Sequence, residues 1–476
     1  MLKKIYYNVF SIKSFYSFVL ATFSFYLLYS FGSIDTSHFY KVPNLYKFVV
    51  LVLLFFLFEI IIKKDMVYIF FLYLISVPIQ HFFTSFEFLF VNVYKLLTIN
   101  YNLVFICIFL CKVILLNNFR LKICSYRIIL AFFGCLIMSI ISIFDAKNAF
   151  LAFNGVIYGL LIPFSLLHII LYIIKDKKNL FLCYDAFIIA SLFYNILTFI
   201  LEFTNLIIAG FGNVRIVGIF VNPGHYGVLQ LCTASISLFL LTTRLNKIYL
   251  ISFVSSIIGI LLAGNRSIII SFIIFFILYI HQMDLKRKIV FYYISFIILL
   301  FFIIDFISLK LSLDNVTIIR LYKEGLVDTE RYTIWKNTMN YIIDKKLFFK
   351  GVGIGNFIYN LFPYALESSA HNSFLHLAAT IGVFGSFLYH YIIIYSINLK
   401  NIIFKINKTK IIPQIILFSI LVSMLTAGFQ PLMYGQMNLI LFNIDPLTMN
   451  THLINTYLWV FVAFSNYNDS LNKTRG

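Results

Sequence analysis

Apolar runs separated by short polar gaps dominate the pattern along this chain. They lie near residues 10–31, 46–62, 66–83, 96–117, 127–144, 150–174, 180–204, 225–243, 247–263, 267–281, 289–308, 373–398, 411–427 and 451–465. A helix needs about 20 apolar residues to cross a hydrocarbon core of about 30 Å, and some runs are shorter than that. The pattern predicts an all-α, polytopic transmembrane helix bundle with about 10–14 spans.

Composition supports a membrane protein, because 62% of the residues are hydrophobic and only 12% are charged. So little polar surface could not cover a soluble fold of 476 residues. The net charge of +19 would suit a nucleic-acid partner in a soluble protein. Here most cations fall in gaps between apolar runs, where they orient helices, so we expect a lipid bilayer and no nucleic acid.

Alternate gaps carry most of the positive charge, which tests the orientation independently. The cation-rich gaps are Lys63–Lys64, Arg120–Arg127, Lys175–Lys178, Arg244–Lys247, Lys286–Lys288 and Lys400–Lys410. Cytoplasmic loops of membrane proteins are enriched in Lys and Arg. The N-terminus is therefore predicted to be cytoplasmic, and three polar features share the outer face. These are a loop at 205–225, a turn at 264–267 and a long segment at 309–372.

The long outer segment is predicted to contain a helix that begins near Thr329. Its apolar residues recur at helical spacing and form one face, comprising Ile334, Trp335, Thr338, Met339, Ile342 and Ile343. The glycines of Gly351–Gly355 follow this helix and lack the lysine of a phosphate-binding loop. They predict a turn that ends the helix rather than a nucleotide site.

Three arginines on the outer face could bind one anion. They are Arg215, Arg266 and Arg331, and a guanidinium bonds phosphate oxygens in bidentate fashion. Two simpler explanations stay open: Arg266 could be an interfacial arginine, and Arg331 could pair with Glu330 or Asp328. The cysteines and histidines show no metal-ligand spacing, so no metal site is indicated.

His371 precedes the apolar run at 373–398 and is the candidate general base. A neutral imidazole can accept the proton of a sugar hydroxyl near neutral pH. The alternative is that Asn372 and Ser373 cap the next helix and His371 is an incidental neighbour. His376, one turn inside that helix, is expected to pack or to make hydrogen bonds.

Five motifs in order resemble the O-antigen ligase and polymerase superfamily of bacterial inner-membrane proteins. The motifs are, in order, a glycine-to-Asn-Pro segment at Gly218–Gly224, an (S/N)R turn at Ala263–Ser267, an R-x-x-x-W helix at Glu330–Trp335, a G-x-G-x-x-x-F turn at Lys350–Phe357 and an H-(N/S/Q)-x9-G-x-x-(G/T/Y) pattern at His371–Gly385. The resemblance divides the chain into N-terminal transmembrane helices (1–204), a core that includes the outer segment (205–400), and C-terminal helices with a cytoplasmic tail (401–476).

The resemblance implies a metal-independent, GT-C-like membrane glycosyltransferase that needs no cofactor. Its donor would be an undecaprenyl-pyrophosphate-linked glycan at the periplasmic face of the inner membrane. His371 would activate the acceptor hydroxyl, with Asn372 and Trp335 in support. Arg215, Arg266 and Arg331 would hold the pyrophosphate.

The sequence leaves three functions open. A polymerase would join repeat units of O antigen or capsule, with a chain-length regulator as a further partner. A ligase would transfer the finished glycan to lipid A core. The His-Asn pattern favours a ligase, whereas the composition bias favours a polymerase, which we prefer. A lipid-linked glycan flippase is the third, but it would not need the long outer segment and would show internal repeats.

Overall fold

The computed structural model divides into two compact units, Met1–Arg120 and Leu121–Gly476. It describes residues 66–74, 105–106, 109–110, 124–174, 176–209, 223–244, 246–263, 265–283, 329–357, 360, 370–404, 408–425 and 452–467. In the first unit residues 66–74 are helical, and the rings of Tyr73 and Phe105 stack with centroids 4.3 Å apart. The side chain of Arg215 and residues 309–328 lie outside the described residues.

The second unit is helical throughout its described regular structure. Its helices are α1 Tyr126–Ile143, α2 Ala149–Val156, α3 Ile162–Ile173, α4 Lys177–Ala209, α5 Pro223–Arg244, α6 Lys247–Leu262, α7 Arg266–Met283, α8 Thr329–Asp344, α9 Ser373–Ile397, α10 Leu399–Phe404, α11 Lys408–Leu425 and α12 His452–Asn466. A π-helical turn, Ile157–Leu161, joins α2 to α3. This architecture confirms the predicted all-α class.

Several of these helices have the length and composition of membrane spans. Within the described residues, four are long and apolar enough to cross a bilayer: Tyr126–Ile143, Ala149–Ile173, Lys177–Ile200 and Tyr226–Arg244. Shorter apolar helices follow at Lys247–Leu262, Arg266–Gln282, Ile411–Leu425 and Tyr457–Asn466. The protein is therefore a polytopic membrane protein, as predicted.

Buried amides and hydroxyls join the helices α4, α5 and α6. The Asn195 Nδ2 atom donates to Gln230 Oε1 at 3.1 Å and to Ser255 Oγ at 3.1 Å. The Tyr226 hydroxyl donates to Asn195 Oδ1 at 3.1 Å. Because no water competes inside a bilayer, such hydrogen bonds hold spanning helices together, at about 0.6 kcal/mol each on average.

Helix α1 packs antiparallel to the second half of α9. A Cβ built on Gly134 would lie 2.6 Å from Leu388 Cδ1, and one built on Gly385 would lie 3.2 Å from Met138 Cβ. Near the start of α1, the Ser125 and Tyr395 hydroxyls are 3.1 Å apart. The end of α1 therefore lies beside the start of this half of α9.

Helix α9 is not the single span that the apolar run 373–398 predicted. Gly382 has φ 85° and ψ 157°, which interrupts the helix and leaves two arms, 373–381 and 383–397. In a straight helix, Ser373 and His390 would lie about 26 Å apart along the axis. Their side chains instead approach to 2.9 Å, so the chain reverses at Gly382 and the two arms form a helical hairpin.

Candidate functional site

Residues 347–353, which we name the tip loop, close the hairpin at Gly382. The interruption leaves backbone groups of both arms without helical partners, and four main-chain hydrogen bonds to the tip loop satisfy them. The first arm accepts through Ala379 O from Val352 N–H and through Thr380 O from Gly353 N–H, both at 2.9 Å. The second arm donates from Val383 N–H to Leu347 O at 3.0 Å and from Phe384 N–H to Phe348 O at 2.9 Å.

The glycines of the tip loop are required by this close backbone contact. A Cβ on Gly351 would overlap the Thr380 carbonyl and the Ile381 nitrogen. Gly353 has φ 90°, a conformation that favours glycine. A turn follows the helix as predicted, but α8 already ends at Asp344, so the glycines do not end the helix and contact the hairpin instead.

The turn between α1 and α2 fixes the other side of the tip loop. Gly351 N–H donates to Ser142 Oγ at 2.7 Å, and the Lys350 ammonium lies 2.7 Å from the Asp145 carboxylate. The Asn356 amide pairs with the main chain of Asn148, accepting from its N–H at 2.8 Å and donating to its carbonyl at 3.0 Å. The end of α1 and the tip of the hairpin thus form one surface of the bundle.

Helix α8 forms as predicted, but its buried face is narrower than expected. Thr338 and Ile342 are buried, and Trp335 packs against the same core cluster as Ala370. Met339 and Ile343, predicted on that face, are 45% and 56% exposed. The helix therefore presents an exposed apolar side as well as the side that packs on the hairpin.

Trp335 brings a polar group to this contact. Its indole nitrogen is buried without a hydrogen-bond partner in the described part of the chain. The core cluster around it includes Ala370, the residue before His371, and Leu375 in the first arm. Trp335 therefore lies beside the start of the first arm.

At the start of the first arm, the helix cap is made by Asn372 rather than by His371. The Asn372 side chain caps the helix, because its Oδ1 accepts from Leu375 N–H at 3.1 Å. Its Nδ2 donates to the carbonyl of Leu425, the last residue of α11, at 3.0 Å. His371 is half-buried and has φ 49°, a left-handed conformation that is uncommon outside glycine. The Asn372 cap is the one that the simpler explanation expected, and a catalytic role for His371 stays a prediction.

His376 behaves as the sequence suggested for a packing residue. It is 1% exposed, and its ring lies 4.8 Å from the Phe357 ring between centroids. It therefore contributes to the contact between the first arm and the segment after the tip loop.

The hairpin positions a second histidine that the sequence reasoning missed. His390 lies in the second arm and is 5% exposed. Its Nδ1 is 2.8 Å from the Ser386 carbonyl, and its Nε2 is 2.9 Å from Ser373 Oγ. The Ser386 hydroxyl in turn donates to the Phe374 carbonyl at 2.9 Å. Polar residues spaced along an otherwise apolar run were the available signal.

The structure describes two of the three predicted arginines. Arg266 is the first residue of α7 and is half-buried, after a turn in which Asn265 Oδ1 accepts from Ser267 N–H at 3.1 Å. Arg331 is half-buried in the first turn of α8. Arg215 lies outside the described residues. Convergence of the three guanidinium groups with His371 on one anion stays a prediction.

The fold and the site define a polytopic helical membrane protein whose candidate site lies at the open end of a tied helical hairpin. Residues 251–390 match the family model described as O-antigen ligase, and this segment contains α7, α8, the tip loop and His371. The match confirms the resemblance to the O-antigen ligase and polymerase superfamily, and it supports membrane glycan transfer of that type. No curated protein matches the chain.

Proposed function

We propose that the protein transfers glycan from an undecaprenyl-pyrophosphate carrier at the outer face of the bacterial inner membrane, as a polymerase of surface-polysaccharide repeat units. The observation that carries the proposal is the placement of His371. The residue lies within the matched segment 251–390, at the open end of the hairpin and outside the helix cap that Asn372 supplies. The cation-rich gaps put the start of α1 on the cytoplasmic side, so the tip of the hairpin, which is bonded to the end of α1, would lie towards the outer side.

In the proposed reaction, neutral His371 takes the proton of the acceptor hydroxyl as the oxygen attacks the anomeric carbon of the donor glycan. The bond between that carbon and the pyrophosphate oxygen breaks, and the electron pair leaves on the phosphate. Arg266 and Arg331, with Arg215, stabilise the developing negative charge through fixed donors. Trp335 supports the site by packing against the core cluster that includes Ala370. No metal is required in this scheme, because the guanidinium groups supply the positive charge.

Two rival functions predict different products. A ligase of the same family would use the same base but an acceptor on lipid A core. The His-Asn motif supports this second candidate. A flippase would move the lipid-linked subunit without forming a glycosidic bond.

Deletion of the gene in its host, followed by gel analysis of the surface glycan, separates these functions. Loss of a polymerase leaves core with a single repeat unit, and loss of a ligase leaves bare core with polymer on its carrier. Loss of a flippase leaves subunits inside the cell. Complementation with His371→Ala or Arg266→Ala is expected to fail, whereas His281→Ala, an exposed histidine at the end of α7, should restore the glycan. Full restoration by both site variants would contradict the assignments.

A further inference from the structure

The hairpin is fastened separately at its two ends. The tip loop ties the interruption at Gly382 through main-chain bonds. At the open end, the bond between Ser373 and His390 joins the two arms, and both side chains are at least 95% buried. His371 lies two residues before Ser373, so this second fastening is nearer to it than the tip is.

The hydrogen-bond directions at His390 follow from its partners. The Ser386 carbonyl can only accept, so the ring must carry a proton on Nδ1, at 2.8 Å. In the neutral imidazole Nε2 is then unprotonated and accepts from the Ser373 hydroxyl at 2.9 Å. The two partners fix both the tautomer and the rotation of the ring.

A Ser-His pair at this distance could be taken for a nucleophile and its base. Ser373 is fully buried and His390 is 5% exposed, so a glycan could not reach the serine oxygen. The pair therefore holds structure at the site and does not react with substrate.

We infer that His390 is a positioning residue, which through Ser373 holds the start of the first arm and thereby sets the place of His371. The inference rests on the proposed function for its catalytic consequence. Freeing the arm would let the left-handed backbone of His371 relax, while the cap on Leu375 and the tip loop stay formed. A displacement of about 1 Å at a catalytic group can lower the rate about 100-fold.

The kinetic test uses purified full-length protein in lipid nanodiscs with a lipid-linked glycan donor. His390→Phe keeps a ring beside Phe374, whose centroid is 5.5 Å away, but removes both hydrogen bonds. We expect kcat to fall about 10- to 100-fold with little change in KM for the donor. His390→Gln, which can keep an acceptor for Ser373, should restore kcat to within about threefold of the wild type. His281→Phe is the matched control and should leave kcat unchanged.

Ser373→Ala removes the other partner of the bond between the arms. It provides an independent test if His390→Phe does not fold. The double variant Ser373→Ala/His390→Phe should be no slower than the worse single variant, because both changes remove the same bond between Ser373 and His390. Additive losses, or a His390→Phe enzyme with normal kcat, would overturn the inference. Equal losses in His390→Gln and His390→Phe would also overturn it.

A labelling measurement separates this inference from the proposed function. His371→Cys in a cysteine-free background is alkylated from outside with a membrane-impermeant maleimide, with and without His390→Phe. Release of the arm should raise the labelling rate about tenfold, through local opening. An unchanged rate would refute the positioning role even if transfer depends on His371. A raised rate, together with no transferase activity in the protein that retains His371, would support the fastening and refute the function.

Discussion

Replacing Gly382 with alanine should destabilise the protein, because no other residue fits this conformation. At φ 85° and ψ 157° the residue lies in a region that is essentially restricted to glycine. A Cβ there would lie 2.9 Å from Lys350 N, 3.0 Å from Phe349 C and 3.1 Å from Phe348 O. All three atoms are backbone of the tip loop, so no side-chain rotation can relieve the contact.

The cost has two parts. Backbone strain of this kind is worth about 1–3 kcal/mol. Moving the tip loop away would break at least one of its four main-chain bonds to the hairpin, at about 0.5–1.5 kcal/mol each in net terms. Together they predict a loss of about 2–4 kcal/mol for Gly382→Ala.

The assay is thermal unfolding of the detergent-solubilised full chain, followed by size-exclusion chromatography of the protein that stays monodisperse. Gly134→Ala is the matched control, because its Cβ would meet chiefly the Leu388 methyl end, a flexible group, and alanine favours helix. We expect a midpoint about 2–4 °C lower for Gly382→Ala and near the wild type for Gly134→Ala. Equal midpoints for both variants would refute the tied hairpin as the source of stability.

Three further outcomes are expected. Cysteines at Phe374 and Ser386 should be joined by a short bifunctional maleimide, because the hairpin brings these residues into contact, whereas a straight helix would separate them by about 18 Å. Arg266→Lys should restore little surface glycan on gels if a bidentate guanidinium is needed; wild-type laddering would show that charge suffices. Asn356→Ala should lower the unfolding free energy by about 1–3 kcal/mol through loss of its amide pairing, while the exposed Asn340→Ala stays within about 0.5 kcal/mol in the same denaturation assay.

The lengths of the apolar runs predicted the spanning helices well, because in a bilayer the backbone N–H and C=O groups must form their hydrogen bonds within each helix. The run at 127–144 became α1, and the run at 150–174 became α2 and α3. The hairpin was missed for a physical reason. A run of apolar residues has the same composition whether it crosses the membrane once or reverses, and the reversal at Gly382 depends on a partner some 30 residues earlier in the chain, Leu347–Gly353.

The structure of the outer segment was also predicted only in part. Helical spacing correctly predicted α8, and Trp335 and Ile342 pack as expected. Spacing could not predict which edge of the apolar face would be covered, and Met339 and Ile343 are exposed. The motif at His371 pointed to the candidate base, but His390 is related to it only through the three-dimensional contact with Ser373.

The hairpin also explains why a glycine-rich motif and a histidine motif, some 20 residues apart, belong to one site. Interrupting a helix inside a membrane exposes backbone groups that cost several kcal/mol each when left unpaired. The tip loop pairs four of them, and only glycine at Gly351 lets its backbone come close enough to Thr380 to do so. The same loop follows α8, where Leu347 N–H donates to the Ile342 carbonyl at 3.0 Å, so it joins the helix of Arg331 and Trp335 to the arm that begins after His371. The motifs therefore act together through main-chain bonds, before any substrate is bound.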